Sequence, residues 1–580
     1  MRRLFLAIAV ACICSATMGG EVTQTYRFSG FNTRDAGEYQ LIEFDHCLNT
    51  GYAGAPSMPW FAVKLLLPPG EKAVSFSIET KNETSIPGTY RIYPQQPSRP
   101  LSHGTEGIFH LDEDIYRSSS VYPENPYGVI TTEYLNGHAI AMLNICPLTY
   151  IPAEGKLSYF GEISVTIITE KEREAETALN NLSASSRIRS MVADFVQNPA
   201  AMDHYPSKDS RSDGYQILII TPAAFEDEFE GLREMYLSRG LKSEVATIED
   251  IGSSMPGQDL PEKVRNYIIQ EYQGFSVEHV ILGGDVEHVP YRGFYCYVQS
   301  GSGYSDDNIP ADLYYSGLDG NWNTDGDNLW GEIGEDDLLP DIAVGRMSFS
   351  NSNELAAMIN KSISYQDTPV LGEMTNPLLA AEFLYSNPET WGSDYLRLLV
   401  GYRDDNGYVT IGIPPEQQID SLYERYQNWG GSDIIAGINE GKSFVHHCGH
   451  ANSGTVMHLS TSDITNSNFS QVNGTIHNYT FVHSHGCICG AFDDSDCIME
   501  RMVAIDNFAA AVIGNSRYGW FNEGQTEGPA AHLHREMVDA LYEEEIGRLG
   551  AAFVESKIQT APWVNAPGQW EEGALRWNFY

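Results

Sequence analysis

The 580-residue chain carries 78 acidic against 35 basic residues, a formal net charge of −43. A surface of that sign repels nucleic acid and anionic membranes, and suits a soluble exported protein or one that holds calcium. Hydrophobic content of 42% is ordinary for a globular chain, so disorder does not explain the charge, and the length provides for about three domain-sized units.

Met1, Arg2 and Arg3 precede an apolar run over 4–16 and small residues up to Gly20. This is the layout of a secretory signal peptide, residues 1–20, and predicts export to the periplasm, cell surface or medium. The run is short for a bilayer span, and no later segment reads as transmembrane.

Residues 21–170 read as an all-β sandwich. Alternating stretches at 60–67, 74–78 and 163–168 are separated by Pro-Gly and Asn-Gly turn signals. Seven cysteines follow the signal peptide, an odd number, so at least one has no intrachain partner. Cys47 and Cys146 are candidates for a disulfide in an oxidising compartment. Residues 171–213 are polar and charged, which predicts a solvated helix and a flexible linker. They carry Arg187, Arg189, Lys208 and Arg211, basic residues at which an exposed segment can be cut.

From Tyr215 the pattern becomes α/β. Strands at 216–221, 243–247, 277–282 and 341–346 alternate with helices at 225–239, 260–272 and 352–365. Such alternation means βαβ units and a mostly parallel sheet. The first unit spans 214–370, and a second, 371–580, starts its own round near Asn376. Within the first, residues 321–332 match the spacing of a twelve-residue calcium loop. Asn321, Asn323 and Asp325 supply oxygens, Gly326 the turn, Asp327 a further carboxylate and Glu332 the closing one. A solvated acidic turn is the alternative.

The stretch 442–520 carries the chemistry. The strand 443–448 ends in Gly449-His450-Ala451, and the strand 479–483 leads to Gly486-Cys487-Ile488-Cys489-Gly490. In a parallel sheet, functional side chains gather past the carboxyl ends of strands. One histidine and one cysteine on the same rim are the minimum for thiol catalysis: Cys487 attacks a carbonyl and His450 moves the proton. The N–H groups of Gly449 and Cys487 are candidates for the oxyanion hole. A carboxylate should orient His450, and Asp285 or Glu287, past the strand 277–282, are the candidates.

Gly449-His450 followed by Gly486-Cys487-x-x-Gly490-x-Phe492 resembles the gingipain family of cysteine peptidases, relatives of the caspases. The segments 312–315, 340–346 and 515–520 resemble that family's catalytic subdomains, and 56–70 its prodomain. The resemblance implies a caspase-like, mostly parallel sheet flanked by helices in two subdomains, behind a β-sandwich prodomain. It implies a zymogen that cuts protein or peptide substrates, with its own prodomain as inhibitor and no catalytic metal. It puts Asp312 where arginine-cleaving members keep a pocket acid, which implies a preference for Arg before the cut; Trp520 is a candidate flat wall for that side chain, and self-cleavage is expected after Arg211 or another linker arginine. The departures are Ala451 in place of the usual glycine and the second cysteine, Cys489. The chain also ends at Trp577–Tyr580, where related catalytic domains continue.

Two other readings use the same residues. His446, His447, Cys448, His450, His483, His485, Cys487 and Cys489 are all zinc-capable, which allows a zinc-dependent hydrolase. Strand alternation works against it, because His446 and His447 point to opposite faces. The other is a secreted adhesin with a degenerate peptidase fold.

Overall fold

Strand Lys156–Lys171 buries Ile163, Val165, Ile167 and Thr169 on one side. A period of two is what a sheet with one packed face demands. The strand pairs antiparallel with Glu21–Arg27, Glu71–Ile86 and Leu148–Ile151. A second antiparallel sheet, ordered Cys47–Thr50, Met58–Leu66, His138–Ile145, Thr131–Leu135, shares the same core. The computed structural model, which describes residues 20–102, 108–208, 214–301, 303–525 and 528–568, thus has the β-sandwich expected over 21–170. All of His138–Ile145 is buried because its sheet is covered on both faces: Asn144 Nδ2 donates to Pro562 O, in the C-terminal unit, at 3.1 Å. Cys47 and Cys146 are both buried free thiols, not the disulfide expected of them.

The flexible linker expected over 171–213 is instead ordered through most of its length. Helix Ser186–Phe195 buries Ile188, Val192 and Phe195, the last two within the core that the sandwich shares. Gln197 and Asn198 use their side-chain amides to bond the backbone of Met58–Leu66, as a neighbouring strand would. The acidic and basic residues of this segment hid a sparse apolar stripe. Arg211, and the expected signal peptide up to residue 19, lie outside the described residues.

Two parallel sheets follow. The first is ordered Ser243–Thr247, Ile217–Thr221, His279–Gly283, Ala343–Met347. The second is ordered Asp420–Tyr423, Leu378–Ala381, Phe444–Cys448, Thr480–Ser484, Ala509–Ile513. Helices Gly431–Ile438 and Ile498–Ala504 cover one face of the second sheet, and Pro529–Tyr542 and Leu549–Thr560 the other. Coverage on both faces allows Leu378–Ala381 and Ala509–Ile513 to be apolar throughout. Each fully buried Val or Phe there contributes about 1.5–3 kcal/mol. Buried Lys361, on helix Ser352–Asp367, donates to Val503 O at 2.6 Å and so ties the two units at the end of helix Ile498–Ala504.

The sandwich docks onto the first α/β unit through donors aimed at carboxylates. Asn136 N–H bonds Asp341 Oδ1 at 2.6 Å, Gly137 N–H bonds Asp319 Oδ2 at 3.1 Å, and Asn181 Nδ2 bonds Asp319 Oδ1 at 2.6 Å. Asp337 Oδ2 accepts from Gly320 N–H at 2.8 Å beside them. Burial, then the charge of Asp319, pushes Asp337 and Asp341 well above the usual carboxylate range.

Candidate active site

Strands Phe444–Cys448 and Thr480–Ser484 pair in parallel, so the loops that leave them emerge side by side. The glycines of both loops answer to space. A Cβ on Gly449 would lie 2.4 Å from the Glu382 carboxyl carbon and 2.5 Å from His447 Nε2. A Cβ on Gly490 would lie 2.9 Å from the carbonyl oxygen of Gly514. Between Cys487 and Cys489, Ile488 is held at φ +61°. A β-branched residue rarely adopts that region, so the turn at the cysteine is strained.

The two cysteines face different surroundings. Cys487 lies among Leu101, Tyr395 and Phe521, with its sulfur 3.7 Å from Gly519 O. Cys489 lies on the far side of the sheet, among Val482, Ile498 and Met499, with its sulfur on Gly486 O at 3.4 Å. Burial pushes both thiols up, Cys489 to about 12. His450, half-buried, has Nε2 at 2.9 Å from Phe383 O. A carbonyl only accepts, so Nε2 is the donor in this contact.

The carboxylate at this rim is Glu382, just beyond strand Leu378–Ala381. Its Oε2 accepts from the His450 N–H at 2.8 Å and its Oε1 lies 3.0 Å from His447 Nε2. Burial works to raise this carboxyl, but the bond and charge of His447 and the His450 N–H outweigh it and hold it below the usual range. Sequence reasoning missed Glu382, which lies far from both loop motifs and joins them only through the parallel pairing of its strand with Phe444–Cys448.

Residues of the N-terminal sandwich domain fill the cleft. Strand Ser98–Pro100 pairs antiparallel with Trp520–Asn522, and Leu101 N–H bonds Gly519 O at 2.9 Å. Ser102 Oγ donates to Ala451 O at 2.9 Å and accepts from Ala451 N–H at 3.2 Å, and its nearness to Cys487 partly offsets the rise of that thiol. Arg99 pairs with Glu523, whose carboxylate is wholly buried, and lies 5.6 Å from the Tyr385 ring centre. Beside Ile488 an open cleft of about 700 Å³ continues past Asp306, Asp493, Arg517 and Tyr518.

Several expected site residues stand elsewhere. Asp285 Oδ1 accepts from Val286 N–H, and Glu287 Oε1 from Ser350 Oγ, at the end of the first sheet, so neither orients His450. Asp312 is held bidentately by Arg346 at 2.7 and 2.8 Å, which removes it as a free pocket acid. Trp520 is fully buried, edge-on to Tyr304 at 5.2 Å, opposite Pro100. In the acidic loop, one oxygen each from Asp325, Asp327 and Glu332 lies within 4.8 Å of the others. Asn323 Oδ1 accepts from Gly326 N–H at 2.9 Å and Asn321 is exposed at the entry. Burial and the neighbouring carboxylates raise Glu332, a repulsion that a cation would relieve.

The zinc-capable residues divide between faces, as strand alternation requires. His447 faces Glu382 and Ser484, whereas His446, His483 and His485 face helix Pro529–Tyr542. No single ion reaches the whole set; one ring nitrogen each of His446, His485 and His534 lies within 4.8 Å of the others.

Residues 210–580 match the family model of Peptidase family C25, and residues 22–195 that of the C25 propeptide. Gingipain R2 of Porphyromonas gingivalis (strain ATCC BAA-308 / W83) is 22% identical over 344 residues, 59% of this chain and 42% of its own. Lys-gingipain HG66 of Porphyromonas gingivalis is 21% identical over 549 residues, 90% of this chain and 28% of its own. The chain spans less than half the length of these curated relatives. Among solved structures, the Arg-specific cysteine proteinase gingipain R (RGPB) aligns with a TM-score of 0.44 at 18% identity, over 64% of this chain and 77% of that one.

Proposed function

The chain belongs to peptidase family C25, and we propose that it is a cysteine endopeptidase made as a zymogen. The observation that carries this reading is the propeptide strand Ser98–Pro100, laid antiparallel on Trp520–Asn522 with Leu101 and Ser102 against the Cys487 sulfur. That is the posture of an extended peptide substrate gripped by its backbone.

In the proposed reaction a substrate strand takes the place of the propeptide. Nδ1 of His450 accepts the Cys487 thiol proton as the sulfur attacks the scissile carbonyl. The N–H groups of Cys487 and Gly449 receive the oxyanion, one such donor being worth roughly 2.7–4 kcal/mol. His450 returns the proton to the departing amine as the C–N bond breaks. Water, deprotonated by His450, then releases the acyl group. Glu382 acts as a positioning residue, through its bonds to the His450 backbone and to His447.

For specificity, the acid we assign is Glu523. Its partner Arg99 lies two residues before Leu101, the residue whose N–H bonds Gly519 O beside the nucleophile. A basic side chain two places before the residue at the cut is therefore the proposed preference. Structural calcium on the loop of Asn321, Asn323, Asp325, Asp327 and Glu332 belongs to the same reading. So do export by the N-terminal signal peptide and self-cleavage in the basic segment that precedes the peptidase match.

The test compares wild type with Cys487→Ala. Matured wild type should cleave casein, lose activity to iodoacetamide with the label on Cys487, and survive brief treatment with a zinc chelator. An unlabelled Cys487 in the inactivated enzyme, or inactivation by the chelator alone, would sink the proposal.

A further inference from the structure

Four histidines share one buried spot under the second sheet: His446 on Phe444–Cys448, His483 on Thr480–Ser484, His485 just past it, and His534 on helix Pro529–Tyr542. None is more than 4% exposed. The neighbours that point the same way along these strands are Phe444 and Phe481, so the surroundings are those of an apolar core. The His446 Nε2 and His534 Nδ1 atoms face each other at 2.6 Å. One ring nitrogen each of His446, His485 and His534 lies within 4.8 Å of the others. His483 stacks on His534 with ring centres 3.8 Å apart. Nδ1 of His446 and Nδ1 of His483 are buried without a hydrogen-bond partner.

Imidazoles are poor residues for an apolar core unless their polar atoms are used. Facing nitrogens at 2.6 Å set two lone pairs against each other unless a proton stands between them, and a cation can take that proton's place. We propose that His446, His485 and His534 bind one divalent cation of the zinc type, tying the strand end that bears the nucleophile to helix Pro529–Tyr542. Neutral imidazole suits zinc and its d-block neighbours, whereas calcium and magnesium demand oxygen ligands. Metal–nitrogen bonds of about 2.0–2.1 Å set tetrahedral ligand nitrogens roughly 3.3 Å apart, so small ring shifts convert the observed cluster into a coordination shell. Three protein ligands leave the fourth position to water or hydroxide. The three nitrogens lie in the sheet–helix core, not at the rim where His450 and Glu382 stand, so the role is to brace the strand end and not to cut. The inference does not depend on the peptidase reading.

The test uses the full chain with Cys487→Ala, which prevents self-cleavage. Produced with zinc in the medium and passed through metal-free buffer, it should retain about one zinc per chain by elemental analysis. Produced with cobalt, it should show the visible bands of a nitrogen-ligated tetrahedral ion without a sulfur-to-cobalt band in the near ultraviolet. His534→Gln and His485→Asn should each lose most of the metal and melt earlier, whereas His477→Gln, at a site paired with Glu373, should keep it. A folded parent chain without stoichiometric metal overturns the inference. So does a thiolate-type cobalt spectrum, or full metal retention in either folded histidine variant. If neither variant folds, the metal content and cobalt spectrum of the parent decide alone.

Discussion

Arg99 of the propeptide is ion-paired with Glu523 of the catalytic unit, whose carboxylate no solvent reaches. Truncating one partner of such a pair leaves the other charge buried, at a cost of roughly 2–5 kcal/mol. Arg99→Ala should therefore raise the basal activity of the uncut chain at least tenfold. Glu523→Gln should erode the preference for a basic residue two places before the residue at the cut, read from a peptide library. Unchanged latency in the first variant and unchanged preference in the second would remove the pair from both roles.

Cys487→Ala should abolish activity, and Cys489→Ala should retain most of it while losing about 1 kcal/mol of stability from its buried packing. Cys489 faces the helix Ile498–Ala504, away from the propeptide strand. The reverse pattern of activities would reassign the nucleophile.

Glu382→Gln should lower kcat by about 10²-fold with little change in KM, because a displaced His450 spoils geometry and not substrate binding. Asp285→Asn and Glu287→Gln should leave both constants near wild type. A silent Glu382→Gln would show that the His450 loop holds itself in place.

Asp337 and Asp341 have folded-state values well above those of an unfolded carboxylate. Their favourable contribution is complete below about pH 4 and is lost as pH rises toward the folded values. The melting temperature should fall on that alkaline side. Asp337→Asn, which keeps an acceptor for the Gly320 N–H, should flatten the fall. A variant that keeps the full wild-type slope would clear Asp337 of responsibility.

Calcium at a hundredfold excess over its Kd should stabilise the chain by about 2.7 kcal/mol if the acidic loop holds it only when folded. Asp325→Asn with Asp327→Asn should abolish the shift in melting temperature. Equal melting curves with calcium and with a chelator, at matched ionic strength, would leave the loop a solvated turn.

The first parallel sheet was legible because strands buried on both faces leave apolar runs, as in Ile217–Thr221, and the second because its short β-branched and aromatic stretches end in glycine. The Gly449-His450 and Gly486-Cys487 ends were legible because glycine betrays close approach. What could not be read were partnerships across the fold. Arg346 claims Asp312 from strand Ala343–Met347, and Glu382 meets His450 only once two strands lie side by side. His534 joins His446 and His485 from a helix with no motif of its own. The apolar stripe of Ser186–Phe195 was too sparse to outweigh its charged neighbours.

Asn136, Gly137 and Asn181 cover Asp319 and Asp341 for as long as the sandwich stays docked. Burial raises both carboxyls in that state. Once the sandwich leaves, water reaches them and their affinity for protons returns to the ordinary level. Undocking should then release protons: separation of the sandwich should gain driving force as pH rises, and low pH should favour the docked state.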